Sequence, residues 1–319
     1  IIIQLLYNFI NPTIRTDRLL NAPTNDARLY PWYSYLTEKG VQYTKHAETT
    51  SLVMHEGKIS HAVIYNHNTK EEIHVTGDYY LLAVPADKAA ALMSSDIILQ
   101  DPSLGKIARL VPDMSWMTGI QFYLNKEVNI NPGHVNYAYT EWALTSFDQM
   151  HFWKNYDLNN RFNGKIKSIL SVDVSDWTDP DQEGDFADKD SLQQIADGVW
   201  MQLEESLNRE NNIVLSKDMI ETYYLDHDIV IQKDGNINKE KMLVNTVNSW
   251  QNRPEAASTI PNLFLASDYV KTYTDLATME AANEAGRRAV NAILERSASN
   301  APLCKIWKLD EPALLAPIK

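Results

Sequence analysis

The chain of 319 residues has one cysteine, Cys304. That excludes an intrachain disulfide and a thiolate metal cluster, and a reducing, cytoplasmic setting is expected. No histidine lies near Cys304 in sequence, and it is not expected to be a reactive nucleophile. Glycine is sparse, with 11 residues. None of them forms G-x-G-x-x-G, a P-loop or a G-x-S-x-G elbow. Basic residues are outnumbered, leaving a formal net charge of −13. Non-specific nucleic-acid binding and electrostatic docking on an anionic membrane are therefore not expected. The opening run, residues 1–9, is too short to span a bilayer. It also lacks the basic leader and small-residue cleavage site of a secretory signal. It reads as a buried segment of something cut upstream. The eight histidines never pair as H-E-x-x-H, so no metal site is assigned and they read as solvated or strand-surface groups. His151 stands apart because it sits in the aromatic stretch SFDQMHFW.

What is present fits an ordinary globular chain of two domains. Residues 28–40 place Leu29, Trp32, Tyr33 and Leu36 at helical spacing, with Gly40 as a C-cap. Residues 41–57 and 58–75 read as strands joined by short turns. In GDYYLLAVPADKAAALM (77–93), YYLLAV is a continuous apolar run, expected of a strand covered on both faces. Pro85 ends it, and a helix follows. Residues 115–125 and 167–175 read as strands, and 221–232 as one more. Residues 191–209 are an amphipathic helix with Ile195, Val199, Leu203 and Leu207 on one stripe. Asp173, Asp176 and Asp179 sit in an acidic stretch without EF-hand spacing, so a solvated loop is expected. The aromatics between Trp116 and Tyr156 fit either a pocket for an apolar substrate or the core of the second domain.

The most informative stretch is NLFLASDYVKTYTDLATMEAANEAGRRAVNAIL (262–294). NLFLA is a buried strand, and Asp268 follows at its carboxyl end, where ligands bind in open α/β sheets. After a loop, Met279, Ala282, Ala285, Ala289 and Ile293 recur at helical spacing. The free amides and positive dipole end of that helix suit a phosphate, or a carbonyl or anionic edge of a heterocycle. The alanines and Gly286 leave room for a neighbouring element to approach. An Asp beside such a helix can accept hydrogen bonds from sugar hydroxyls. The same residues also suit an Asp-capped turn and an amphipathic helix with no ligand.

This stretch resembles the C-terminal flavin-binding motif of the amine oxidase and phytoene desaturase superfamily of FAD enzymes. There the pattern is N-L-[FY]-x-A-G-D, a short loop, then a helix opening on [ST]-[ML]-[ED]-x-A. The resemblance implies that Ala266, Ser267 and Asp268 meet the ribityl and pyrophosphate region. It also implies that the backbone at Ala277, Thr278 and Met279 meets the flavin ring near its C2 carbonyl. Ser267 stands where the family usually has Gly; a serine fits there only if its backbone angles are ordinary, and the departure puts close packing on the pyrophosphate in question. GVQYTKHAETTSLVMHEGKISHAVIY is similar to the strand and hairpin that pass the adenine, with Thr49 where an apolar residue, often Val, usually lies. DYYLLAVPADKAAALM resembles the strand whose end, here Val84 and Pro85, passes near the dinucleotide. NAPTNDARLYPWYSYL, EWALTSFDQMHFW and SDWTDP resemble the subgroup of phytoene desaturases and hydroxysqualene dehydroxylases.

The implied fold is α/β, mixed α+β. It comprises a partial FAD-binding Rossmann-like domain of the glutathione-reductase type, with an inserted mixed-sheet and helix substrate domain. Residues 40–95 and 255–298 would form the FAD-binding pieces, 1–39 and 96–254 the substrate domain, and 299–319 an extended tail. The family's opening strand, G-x-G-x-x-G and helix are not in this sequence, so the chain looks like the C-terminal portion of a longer flavoprotein. The implied activity is hydride transfer between FAD and a small apolar organic substrate, isoprenoid-like or an amine, with membrane contact only through that substrate. No catalytic residue is assigned. Two alternatives remain: a non-catalytic binding protein on the flavoprotein fold, and a subunit needing a separate nucleotide-binding partner. Residues 1–9 and an unpaired strand edge predict self-association.

Overall fold

The computed structural model describes residues 19–153, 156–274 and 276–308. The expectations for residues 1–9 and for the tail beyond residue 308 lie outside the described residues. Helix α1 (Tyr30–Glu38) is followed by strands β1 (Ala47–His55), β2 (Lys58–Asn66), β3 (Glu71–Val75) and β4 (Tyr80–Leu82). Helices α2 (Ala86–Leu92) and α3 (Ser95–Gln100) lead to β5 (Met114–Ser115). Next come β6 (Thr118–Leu124), β7 (Val135–Asn136), β8 (Thr145–Asp148), β9 (Ser168–Val174) and helix α4 (Leu192–Leu207). Strands β10 (Ile220–Leu225), β11 (Ile229–Val230), β12 (Ile237–Asn238), β13 (Met242–Leu243) and β14 (Leu263–Leu265) precede helix α5 (Met279–Arg296). Two compact units result. One draws on Tyr43–Ser115 with Met242–Lys319, the other on Ile1–Gln42 with Trp116–Lys241.

The second of these carries a five-stranded sheet in the order β10-β6-β9-β8-β7, with every pair antiparallel. Side chains of β6 alternate between buried and half-buried, the period of a strand with one face on the core. Helix α4 starts from a capping box between Ser191 and Gln194. Its stripe of Ile195, Val199 and Leu203 is buried with Ile120, Phe122, Leu170 and Val172 from the sheet. The rings of Phe122 and Trp200 pack 4.9 Å apart. Trp142 is wholly buried in the same core and Trp153 in a smaller one, so these two aromatics are core.

Gly198 faces Trp142. A Cβ at Gly198 would stand 2.6 Å from Cη2 of that ring. Helix propensity alone favours alanine over glycine by about 1 kcal/mol, whereas overpacking a filled core costs about 1–3 kcal/mol. The overlap with a wholly buried indole lets the second effect win. Gly198→Ala is expected to destabilise the protein by about 1–2 kcal/mol in urea unfolding; a gain in stability would show that Trp142 yields freely.

Two expectations are corrected in this unit. Residues 221–232 are two strands, because the Asp226 carboxylate accepts the Asp228 amide at 3.0 Å and turns the chain. The acidic loop is not simply solvated. Asp181 and Asp190 are buried, and Asp181 Oδ1 accepts the amides of Glu183 and Asp185, both at 2.9 Å. Leu29, just before α1, and Trp32 and Tyr33 within it are exposed.

In the other unit, β1, β2 and β3 form an antiparallel sheet. Glu56 and Gly57, with φ of 48° and 74°, turn the β1–β2 hairpin, the left-handed pair of a type I′ turn. Strands β4 and β14 are a parallel pair, with Leu265 opposite Leu82. All of β14 is buried, but Leu81 of β4 is 45% exposed. Strand β4 is therefore not covered on both faces, and among the described residues it pairs only with β14. Ala285 and Ala289 of α5 share a core with Leu263, Phe264 and Leu265. Gly286 faces open space, so its small size serves no close approach there.

Asn262, just before β14, ties the two sheets. Its Nδ2 donates to the Ile59 carbonyl at 2.8 Å, and its Oδ1 accepts the Ile59 amide at 2.9 Å. After α5 the chain returns along the helix. Asn291 accepts the Cys304 amide at 2.6 Å and donates to the Cys304 carbonyl at 2.9 Å. The Arg287 guanidinium lies 5.0 Å from the centre of the Trp307 ring.

Candidate functional site

The ladder of β4 and β14 extends past the strands, where the Ala266 amide donates to the Leu82 carbonyl at 2.9 Å. The pair is parallel and in register. Val84 and Pro85 therefore leave the sheet beside Ser267 and Asp268, at the carboxyl end where α/β sheets hold ligands. Helix α5 runs the opposite way to β14. Near its C-terminus, Arg296 donates to the Pro261 carbonyl at 2.8 Å and to the Ser258 carbonyl at 3.3 Å, which lie before the strand. The 18 residues of α5 measure about 27 Å at 1.5 Å per residue. Within the second turn of α5, Glu284 accepts the amides of Tyr273 and Thr274, which follow Asp268. With its C-terminus anchored before the strand and Glu284 anchored after Asp268, α5 points its N-terminal half toward the end of β14 that Asp268 follows.

The turn at Asp268 is unusual. Ser267 holds φ +110°, a conformation for which glycine is the default. Its backbone is thus not ordinary, and a serine there costs on the order of 1–3 kcal/mol. The Ser267 hydroxyl donates to Asp268 Oδ1 at 3.2 Å. Arg253 is buried. It donates to the Asp268 main-chain carbonyl at 2.9 Å and to the side chain of Asn245. The Val270 amide returns to the Ser267 carbonyl at 3.3 Å. Tyr269, next in line, is wholly buried, and its hydroxyl has no hydrogen-bond partner among the described residues. Burial pushes this phenol well above its ordinary range, and the neighbouring Asp268 charge adds to the shift.

The loop back to α5 is held by a residue that sequence reasoning passed over. Glu284 is buried. It accepts the amides of Tyr273 at 2.8 Å and Thr274 at 3.3 Å, and a charge-assisted bond from Arg288 Nε at 2.8 Å. The only sequence signal was the i, i+4 spacing of Glu284 and Arg288. Thr278 caps the helix by accepting the Ala281 amide at 3.2 Å. Ala277 and Thr278 are half-buried, and the Met279 side chain is exposed. Thr49 lies elsewhere, on β1 opposite Ile64 in the three-stranded sheet. The structure thus brings together Val84, Pro85, Ala266, Ser267 and Asp268, with Ala277, Thr278 and Met279 opening the helix at the same end.

These residues fit the flavin end of FAD. A carboxylate stands at the mouth of a parallel pair, the backbone before it has a glycine's shape, and a helix N-terminus carries positive potential. The glycine-rich turn that would cradle the pyrophosphate is not in the sequence.

Elsewhere, His151 Nε2 lies 3.7 Å from Oδ2 of the buried Asp148. The pair lines a cavity of about 310 Å³ with Trp153 and Tyr156. Asp226, His227 and Asp228 bring ligand atoms within 4.8 Å of one another. They are consecutive on a turn whose amide bond already engages Asp226, so their proximity follows from the turn.

Residues 37–294 match the family described as flavin containing amine oxidoreductase. No curated protein matches the chain. Solved structures are similar, among them the following three. An oxidoreductase from Methanosarcina mazei is 11% identical with a TM-score of 0.48, over 85% of this chain and 54% of that one. The glycerol-3-phosphate dehydrogenase from Bacillus halodurans, complexed with FAD, is 11% identical with a TM-score of 0.41, over 84% and 42%. A geranylgeranyl bacteriochlorophyll reductase-like protein from Thermoplasma acidophilum is 13% identical with a TM-score of 0.36, over 79% and 48%. The chain spans about half the length of these structures. With 37–294 covering most of its length, the chain belongs to the family of flavin-containing amine oxidoreductases.

Proposed function

We propose that the chain serves an FAD-dependent oxidoreductase and supplies the strand, Asp268 turn and helix start that hold the flavin end of the cofactor. When bound, FAD supplies the hydride chemistry, and the protein supplies binding, orientation and a dry site. Asp268 accepts from ribityl or sugar hydroxyls, and the α5 N-terminus faces the carbonyl edge of the ring. The observation that carries this reading is the shared end reached by Asp268 and α5, fixed at the opposite end by Arg296 on Pro261 and Ser258.

The proposed substrate is a small apolar organic molecule, isoprenoid-like or an amine. The family description supports the amine, and the likeness of residues 21–36 and 141–153 to the phytoene desaturase subgroup supports the isoprenoid. The proposal includes a cytoplasmic setting, supported by the single cysteine, and no nucleic-acid partner, supported by the net charge of −13. It also includes self-association, supported by the exposed Tyr30, Trp32, Tyr33 and Tyr35 on α1. Among the described residues no helix is long and apolar enough to cross a membrane.

Asp268→Ala in the full-length protein from its native gene is expected to raise the Kd for FAD about tenfold, a loss of about 1.4 kcal/mol. Flavin fluorescence titration measures it. Unchanged affinity would remove Asp268 from the site.

A further inference from the structure

Ser267 combines two observations that do not need each other. Its backbone has φ +110°, which glycine would hold without strain. Its hydroxyl donates to Asp268 Oδ1 at 3.2 Å. The main chain of the turn is fixed by other groups: Arg253 on the Asp268 carbonyl and Val270 on the Ser267 carbonyl. Neither bond uses the serine side chain. A glycine at 267 would therefore keep the turn and lose only the hydroxyl. Backbone strain of this kind clusters where a side chain is needed for function. The hydroxyl touches one oxygen of the carboxylate, and among the described residues no hydrogen bond reaches the other, Oδ2.

We propose that Ser267 is a positioning residue that locks the Asp268 carboxylate through Oδ1 and leaves Oδ2 for a hydroxyl of the FAD ribityl or sugar chain. This rests on the FAD reading of the site. A free carboxylate samples several rotamers, and ordering it on binding costs affinity. The serine hydroxyl meets that cost in the folded protein before the cofactor arrives. The strain at Ser267 and the order of Asp268 are thus two ends of one device.

The test uses the full-length protein with FAD as the probe. Flavin fluorescence titration gives Kd, and thermal unfolding of the flavin-free form gives Tm. Ser267→Gly is expected to raise Tm by about 2–4 °C through relief of strain, and to raise Kd about tenfold. Ser267→Ala keeps the strain and loses the hydroxyl, so Kd rises similarly with no gain in Tm. On an Asp268→Ala background, Ser267→Gly should leave Kd unchanged, because the pair acts as a unit. If Ser267→Gly fails to fold, Ser267→Ala carries the affinity test alone. FAD affinity in both Ser267 variants equal to or tighter than wild type overturns the proposal while Asp268→Ala still weakens binding. If Asp268→Ala also leaves Kd unchanged, the FAD reading falls and this inference falls with it.

Discussion

Asn262→Ala is expected to destabilise the protein by about 2–5 kcal/mol, because it strips two buried backbone groups of their partners at once. Strand β3 pairs with β2 only from Ala62 to Asn66. At Ile59 the edge of β2 has no strand beside it, and the Asn262 amide takes that place with one donor and one acceptor. Ile59 is buried, so an alanine at 262 leaves its N–H and C=O away from water. Each such group costs about 1–3 kcal/mol when unsatisfied. Urea unfolding followed by tryptophan fluorescence measures the loss. A change under about 1 kcal/mol would mean that water had entered in place of the amide. Asn262→Asp separates the two bonds, since a carboxylate still accepts from the Ile59 amide and cannot donate to its carbonyl.

Asp190→Asn should act in the opposite direction and depend on pH. Asp190 is buried, and its Oδ2 has no hydrogen-bond partner among the described residues. Burial first, then the charges of Asp185, Asp181 and Asp188, raise its pKa to about 6. A carboxyl group with a folded pKa above its unfolded value binds its proton more tightly when folded. Its penalty is absent below the unfolded value near 4. The penalty grows between pH 4 and 6 and is complete above that. At one pKa unit per 1.36 kcal/mol, it reaches at most about 3 kcal/mol at neutral pH. The neutral amide escapes it. Asp190→Asn is thus expected to gain about 1–3 kcal/mol at pH 7 and little at pH 4. Equal gains at both values would assign the effect to packing rather than charge.

Much of the architecture could be read from local pattern. The strand within 115–125 and the stripe of Ile195, Val199 and Leu203 signal through short-range pattern. So does the Leu263–Leu265 strand followed by Asp268 and an alanine-rich helix. What escaped is what depends on tertiary pairing. Nothing in YYLLAV tells that Leu81 stays open, because coverage is decided by which strand lies beside it. Glu284 looks like any exposed helix carboxylate until the loop at Tyr273 and Thr274 folds onto it. A backbone angle leaves no trace in composition, so the shape of Ser267 was invisible even where glycine was the expected residue. Asp226 to Asp228 split one apparent strand in two, because a short carboxylate competes for the backbone amide.

The Asn291 side chain holds both backbone groups of Cys304, and that residue carries the only thiol in the chain. A fluorophore or spin label attached there would be tethered to the C-terminal half of α5. It would sit on the helix whose first turn is proposed to face the flavin, yet several turns away from that turn. The protein therefore comes with a native attachment point for spectroscopy, from which motion of that helix can be followed without altering any residue proposed to meet the cofactor.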